Sequence, residues 1–122
     1  MTWSVDLGGE KLAGRKSAPT ARVHDIITLA SEITQIHRRD ILGLYRFPEI
    51  AAVRQACYLV AREAGHSYPR IAELMGRQHS SVHYGAKIAF KRCKSDGDYA
   101  AMVQRLRERI SGSRRFLLEA AA

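Results

Sequence analysis

The sequence predicts an all-α protein of five to six helices, two of which form a helix-turn-helix. Apolar residues recur at spacings of three and four along most of the chain, Gly and Pro punctuate these periodic segments, and no segment shows strand-like alternation. A chain of 122 residues suits one domain. A domain of this length buries enough core to fold without disulfides or metal. We therefore expect one helical domain.

The chain divides into an arm, a helical domain and a tail. Residues 1–19 are rich in Gly, Ser, Lys and Arg and predict a flexible N-terminal arm, residues 20–111 the helical domain, and residues 112–122 a C-terminal tail after a Gly-Ser-Arg-Arg break. Within the arm, Gly9-Glu-Lys-Leu-Ala-Gly14-Arg15-Lys16-Ser17 resembles a P-loop. Arg15 is one residue too many, and no buried strand precedes the motif. We therefore expect no nucleotide binding.

Three helices are predicted before the helix-turn-helix. The first carries one apolar stripe that comprises Val23, Ile26, Ile27, Ala30, Ile33 and Ile36. Asp40 is expected to cap a short second helix that ends at Leu44. The third helix spans residues 48–64, since Pro48 and Glu49 suit a first turn and Gly65 suits a helix end. Its expected buried face comprises Val53, Ala56, Cys57, Val60, Ala61 and Ala64.

The helix-turn-helix is predicted over residues 67–93. Ser67 can cap a short helix over residues 68–75, Gly76 suits a tight turn, and a longer helix follows over residues 79–93. A final helix is expected to start at Asp96 or Asp98. Its apolar stripe either packs on the domain's own core or forms a homodimer surface, and the tail at Phe116-Leu-Leu118 is a second place for a protein partner.

The start of the second motif helix has the chemistry that reads base edges. The segment Arg77-Gln-His-Ser-Ser81 offers polar side chains that donate and accept hydrogen bonds, and recognition helices present such groups from their N-terminal turn. The whole chain has a net charge of +8, and residues 35–94 alone carry eleven basic and four acidic residues, a net charge of +7. This distribution favours a polyanionic partner, and double-stranded DNA fits best.

A known family shares these motifs in the same order. The sequence has Arg54-Gln55 in an Ala-rich helix, then Ser67-Tyr-Pro-Arg-Ile-Ala72 and Gly76-Arg-Gln-His-Ser-Ser-Val82. This order resembles the C-terminal DNA-binding domain of the bacterial replication initiator DnaA, over about residues 23–90. The resemblance implies a compact fold like those of the Trp repressor and the DnaA C-terminal domain.

The resemblance also implies roles for individual residues. His79, Ser80 and Ser81 match the family's major-groove readers, with Gln78 beside them, and Arg46 matches a family arginine that enters the minor groove. Contacts to the DNA backbone are implied, by the resemblance or by the position beside the motif, for Arg54, Gln55, Arg62, Tyr68, Pro69, Arg77 and Lys87.

Three departures from the family change the expectation. Gln78 stands where the family has Asp, so an acceptor for cytosine is lost and a bidentate contact with adenine becomes available. Ser80 and Ser81 replace two threonines, which removes methyl groups that contact thymine. The 122 residues leave no room for the ATPase module of an initiator, so we expect a stand-alone regulator of transcription or replication without ATPase activity.

Other functions are less well supported by the sequence. His79 and His83 lie one helical turn apart, but no local carboxylate or cysteine completes a metal site, and no acid orients either histidine toward a serine nucleophile. We expect no cofactor, no metal and no enzymatic activity. Cys57 and Cys93 suggest no disulfide framework, which fits a reducing cytoplasm, and the sequence has no apolar run that suits a membrane span. We expect a cytoplasmic, nucleoid-associated protein. The alternative is an adaptor that binds a replication or transcription protein.

Overall fold

The computed structural model describes residues 19–44 and 46–121, with side chains as far as residue 112. This part of the chain contains six helices and no strand, and the all-α prediction is confirmed. The helices are α1 (Val23–Thr34), α2 (Arg38–Leu42), α3 (Pro48–Glu63), α4 (Tyr68–Met75), α5 (His79–Ser95) and α6 (Gly97–Ala121). The P-loop-like motif, and all of the predicted arm except Pro19, lie outside the described residues.

Helix α2 begins earlier than the sequence predicted. Its N-cap is His37, whose ring Nδ1 accepts a hydrogen bond from the Arg39 amide at 3.1 Å. Asp40 therefore lies inside the first turn instead of capping it, where its charge still favours the positive helix end. The helix ends at Leu42, so Leu44 belongs to the loop that joins α2 to α3.

The helix-turn-helix forms where it was predicted. Ser67 caps α4 by accepting a hydrogen bond from the Arg70 amide at 3.2 Å. Gly76 ends this helix with a φ of +67°, in the left-handed region that favours glycine. Helix α5 starts at His79 as expected and ends two residues later than predicted, at Ser95.

The core is formed by apolar side chains from all six helices. Helix α3 lies at its centre and packs against every other helix, and the side chain of Cys57 is 1% exposed. Burial raises the pKa of that thiol to about 12, as a core residue requires. Cys93 is half-buried and packs against the core.

The apolar stripe of α6 packs against other helices of the same chain. The buried members of the stripe are Tyr99, Val103, Leu106 and Ile110. The hydroxyl of Tyr99 also donates to the carbonyl of Ala52 at 2.7 Å. These residues pack on the domain's own core, which was the first of the two interpretations.

Helix α6 also extends further than the sequence predicted. It continues to Ala121, through the Gly-Ser-Arg-Arg segment where a break was expected. Ser and Arg are ordinary helix residues, and one internal glycine costs only about 1 kcal/mol relative to alanine. In the described part of the chain, no helix combines the length and apolarity needed to cross a bilayer.

Candidate nucleic-acid interface

The N-terminal turn of α5 presents polar side chains to solvent. Gln78, His79, Ser80 and Ser81 are all exposed. Gln78 occupies the N-cap position in an extended conformation, but its side chain makes no capping hydrogen bond. Its amide group therefore keeps donors and acceptors available on the surface, beside the three predicted major-groove readers.

An exposed stripe continues along α5 from this turn. Positions three and four apart share one face of a helix, and Ser80, Tyr84, Lys87 and Lys91 follow this spacing and are exposed. The Tyr84 side chain is 68% exposed. Tyr84 was not among the candidate site residues predicted from the sequence, although its position three residues before Lys87 was a sufficient signal.

Gly85 determines how closely α5 approaches α3. A β-carbon added at Gly85 would lie 2.7 Å from Cδ2 and 2.9 Å from Cε2 of Tyr58, inside van der Waals contact. A larger residue at this position requires the Tyr58 side chain or one of the two helices to shift. This contact was not predicted from the sequence, because a glycine within a helical pattern does not reveal its neighbour.

An aromatic stack joins α4 to α5. The ring of Tyr68 stacks on that of His83, with centroids 4.5 Å apart and planes inclined by 27°. The guanidinium carbon of Arg62 lies 5.1 Å from the Tyr68 ring centroid, and its Nη1 donates to the carbonyl of His66 at 3.2 Å. Arg62 and Tyr68 are each only 2% exposed, so this structure places them beneath the surface and not on it.

Two further arginines converge on the C-terminal end of α2. The Nε of Arg54 donates to the carbonyl of Ile41 at 2.7 Å, and its Nη2 donates to the carbonyls of Asp40 and Gly43, each at 3.2 Å. The Nη2 of Arg77 donates to the same Gly43 carbonyl and lies 3.4 Å from that of Leu42. We call these two side chains the arginine clamp.

The arginine clamp stabilises a helix end electrostatically. The last carbonyls of a helix have no partner within the helix and carry partial negative charge, so cations there are favourable. Burial, and to a smaller extent repulsion by Arg77, lowers the pKa of the Arg54 guanidinium. Burial raises the pKa of Tyr58, and both arginines oppose that shift. The Tyr58 ring is also the group that approaches Gly85 of α5.

The arginine clamp fixes the loop that carries Arg46. Arg77 immediately precedes Gln78, and its side chain reaches Gly43, which lies three residues before Arg46. This contact brings the loop between α2 and α3 beside the start of α5. Arg46 is exposed, as are Pro69 and Lys87, whereas Gln55 is half-buried.

The residues predicted to contact the DNA backbone thus include two groups in different environments. Lys87 and Pro69 are exposed, whereas the guanidinium groups of Arg54, Arg62 and Arg77 already contact groups of their own chain. Contact of any of these residues with DNA stays a prediction. Among the described residues, no group of three or more His, Cys, Asp or Glu side chains is placed to hold a metal ion.

Comparisons with known proteins agree with this geometry. The model of the bacterial dnaA protein helix-turn-helix family matches residues 23–88, from α1 into α5. The chain is 37% identical over 73 residues to the chromosomal replication initiator protein DnaA of Deinococcus radiodurans, covering 59% of the chain and 16% of that protein. It is 31% identical over 90 residues to the DnaA of Nautilia profundicola, covering 72% of the chain and 21% of that protein.

A third relative extends the match. The chain is 26% identical over 102 residues to the DnaA of Aliarcobacter butzleri, covering 82% of the chain and 23% of that protein. The chain thus spans about a fifth of the length of these curated relatives. The family match covers more than half of the chain and includes the whole turn between α4 and α5. The chain therefore belongs to the bacterial DnaA helix-turn-helix family, whose shared module is a DNA-binding domain.

Proposed function

We propose that this protein binds double-stranded DNA sequence-specifically and acts as a regulator of transcription or replication. The observation that carries the proposal is the exposed, polar N-terminal turn of α5, at the position of the recognition helix in a DnaA-type helix-turn-helix. An α-helix fits the major groove, and polar side chains from its first turn reach the base edges.

Four residues would provide the base contacts. His79, Ser80 and Ser81 are exposed and match the family's readers, and Gln78 has an amide that makes no capping bond. An amide side chain makes two hydrogen bonds to adenine in the major groove, each good pair being worth about 1–3 kcal/mol of discrimination. The DNA sequence preferred by this protein is therefore expected to differ from one read by an Asp at this position.

Exposed basic residues would provide most of the affinity. Lys87 lies on the same face as Ser80 and is exposed, so we propose it as a phosphate contact, with Pro69 approaching the backbone at the start of α4. Arg46 would enter the minor groove beside it, where arginine favours a narrow groove of strong negative potential. Arg54 and Arg62 would act as positioning residues, because their side chains are buried and bonded to carbonyls of the chain.

Selection from a random duplex library tests the proposal. Bound sequences are enriched at near-physiological salt, and the best one is titrated against a scrambled duplex of equal length. The His79→Ala variant is expected to reduce the difference between the two duplexes about tenfold or more, since it removes a base contact.

A matched control separates base reading from charge. The Lys87→Ala variant should weaken binding to both duplexes alike, because a phosphate contact carries no sequence information. Absence of any enriched sequence for the unaltered protein, with binding that disappears as salt rises, would contradict the proposal. That result would favour the adaptor hypothesis, in which the positive face is only electrostatic.

A further inference from the structure

Three large apolar side chains are exposed in the described part of the chain. They are Leu44 at 83% exposure, Phe47 at 61% and Tyr84 at 68%. Tyr84 lies on the recognition helix, and the other two lie in the loop between α2 and α3, on either side of Arg46. Leu44 and Phe47 thus place apolar surface beside an exposed arginine, within a loop on the side of the molecule that presents α5.

The position of the loop indicates which partner Leu44 and Phe47 can contact. The arginine clamp ties Gly43 to Arg77, and Arg77 is joined to the first turn of α5 through Gln78. Whatever α5 contacts therefore lies within reach of the loop as well. Arg46 places a positive charge between the two apolar side chains, which favours an anionic partner over an apolar protein surface.

We infer that Leu44 and Phe47 enter the DNA minor groove together with Arg46, as an apolar pair that contacts the sugar walls and base edges. This inference rests on the proposed function and adds two specificity-determining residues to it. Minor-groove binders combine basic residues that read groove width with apolar side chains that press against the bases. The sugar C–H groups that line the groove provide the apolar surface that such side chains bury.

The consequence for specificity is a preference for A·T pairs at this point. Guanine carries an amino group in the minor groove that an A·T pair lacks. This group would project toward Phe47 and Leu44 and would also widen the groove that Arg46 favours. The loop would thus read A·T against G·C by shape, independently of the base contacts made by α5.

The test combines one double alanine variant with a modified duplex. In the duplex selected by the unaltered protein, each adenine in turn is replaced by 2,6-diaminopurine, which adds only a minor-groove amino group. The affinity of the unaltered protein should fall when the replaced adenine lies within one cluster of neighbouring positions, and not elsewhere in the duplex. The Leu44→Ala/Phe47→Ala double variant should bind the unmodified duplex about tenfold more weakly, as expected from the loss of two apolar contacts, and should have lost the sensitivity to diaminopurine.

Each outcome decides the inference. Unchanged DNA affinity in the double variant would overturn it, and so would an affinity loss in which diaminopurine still weakens binding by the same factor. A change in sedimentation of the double variant, with DNA binding unaltered, would assign the pair to a second copy of the chain instead. If the unaltered protein enriches no sequence, the proposed function fails and not this inference alone.

Structural damage is controlled within the same series. Leu44 and Phe47 are exposed, so their removal should leave the thermal unfolding midpoint unchanged within error. The Phe47→Leu variant retains an apolar side chain and should recover most of the affinity that Phe47→Ala loses. Loss of affinity in Phe47→Leu equal to that in Phe47→Ala would contradict a role based on apolar contact.

Discussion

The basic residues of α3 and α5 look alike in the sequence but lie in opposite environments. Arg54 and Arg62 of α3 are 9% and 2% exposed, and they donate to carbonyls of their own chain. Lys87 and Lys91 of α5 are exposed, on the face that begins at Ser80. The net charge of this region counts both groups equally, although only the second is oriented toward solvent.

This difference shows that a positive charge near a helix-turn-helix has two distinct uses. Some cations neutralise the negative end of a helix inside the protein and fix the geometry of the surface. Others remain on the surface, where they can release counterions from DNA. Loss of DNA binding in a variant therefore has two possible causes, and stability measurements distinguish them.

The largest expected effect is on stability, at Arg54. The Arg54→Leu substitution removes the donors that satisfy three carbonyls at the end of α2, and we expect the free energy of unfolding to fall by about 3–4 kcal/mol. Urea denaturation followed by circular dichroism measures this loss. Arg54→Lys keeps the charge but not the hydrogen-bonding geometry of the guanidinium group. Its free energy of unfolding should lie between those of Arg54→Leu and the unaltered protein. Unaltered stability with weakened DNA binding would instead support the phosphate contact implied by the family resemblance.

A second expected effect concerns the contact between α5 and α3. The Gly85→Ala substitution places a methyl group 2.7 Å from the Tyr58 ring, and such overpacking typically costs about 1–3 kcal/mol. DNA affinity should fall as well, because α5 must shift relative to the loop. Gly97→Ala is the matched control, since its added β-carbon would project into open space. Equal stability of the two variants would show that α5 does not depend on this close approach.

A smaller effect is expected for a cation on the exposed face. Lys87→Ala should leave stability within about 0.5 kcal/mol of the unaltered protein. The slope of log affinity against log salt should become shallower by about one. Arg105→Ala removes an exposed charge from α6 and serves as the control. If both variants change the salt dependence equally, the charge on α5 acts through net charge and not through a specific contact.

The smallest effect is expected at a surface ion pair. Glu63 of α3 accepts two hydrogen bonds from Arg107 of α6, each at 2.9 Å. This pairing raises the pKa of Arg107. Both side chains are about one-third exposed, at 36% and 35%, so Glu63→Gln should cost at most about 1 kcal/mol. DNA binding should not change; a clear loss of affinity would place this pair in the interface.

Much of the fold was accessible from the sequence because its signals are local. Ser67, Gly65 and Gly76 mark helix ends through capping chemistry and positive φ, and the apolar periodicity predicted the buried stripes of α1, α3 and α6. The start of α2 was predicted wrongly, because an aspartate is the usual cap but a histidine ring took that role. The end of α6 was missed because Gly and Ser also occur within helices.

The candidate site was less accessible, since its arrangement depends on contacts between distant residues. Exposure of Gln78 to Ser81 followed from the helix-turn-helix pattern alone. The burial of Arg54 did not, because its partners lie 11 to 14 residues earlier in the chain. The same holds for Arg77, whose partners lie 34 and 35 residues away. The sequence shows that an arginine is present but not which carbonyl it will reach.

The arginine clamp has one consequence for the DNA that this protein would select. Because Gly43 is hydrogen-bonded directly to Arg77, the loop with Arg46 and the first turn of α5 are held at one separation. In the proposed complex, the minor-groove and major-groove portions of the binding site would then occur at one fixed spacing. Inserting a single base pair between them shifts one portion by about 3.4 Å and rotates it by about 34°, so only one of the two elements would remain in register with its groove.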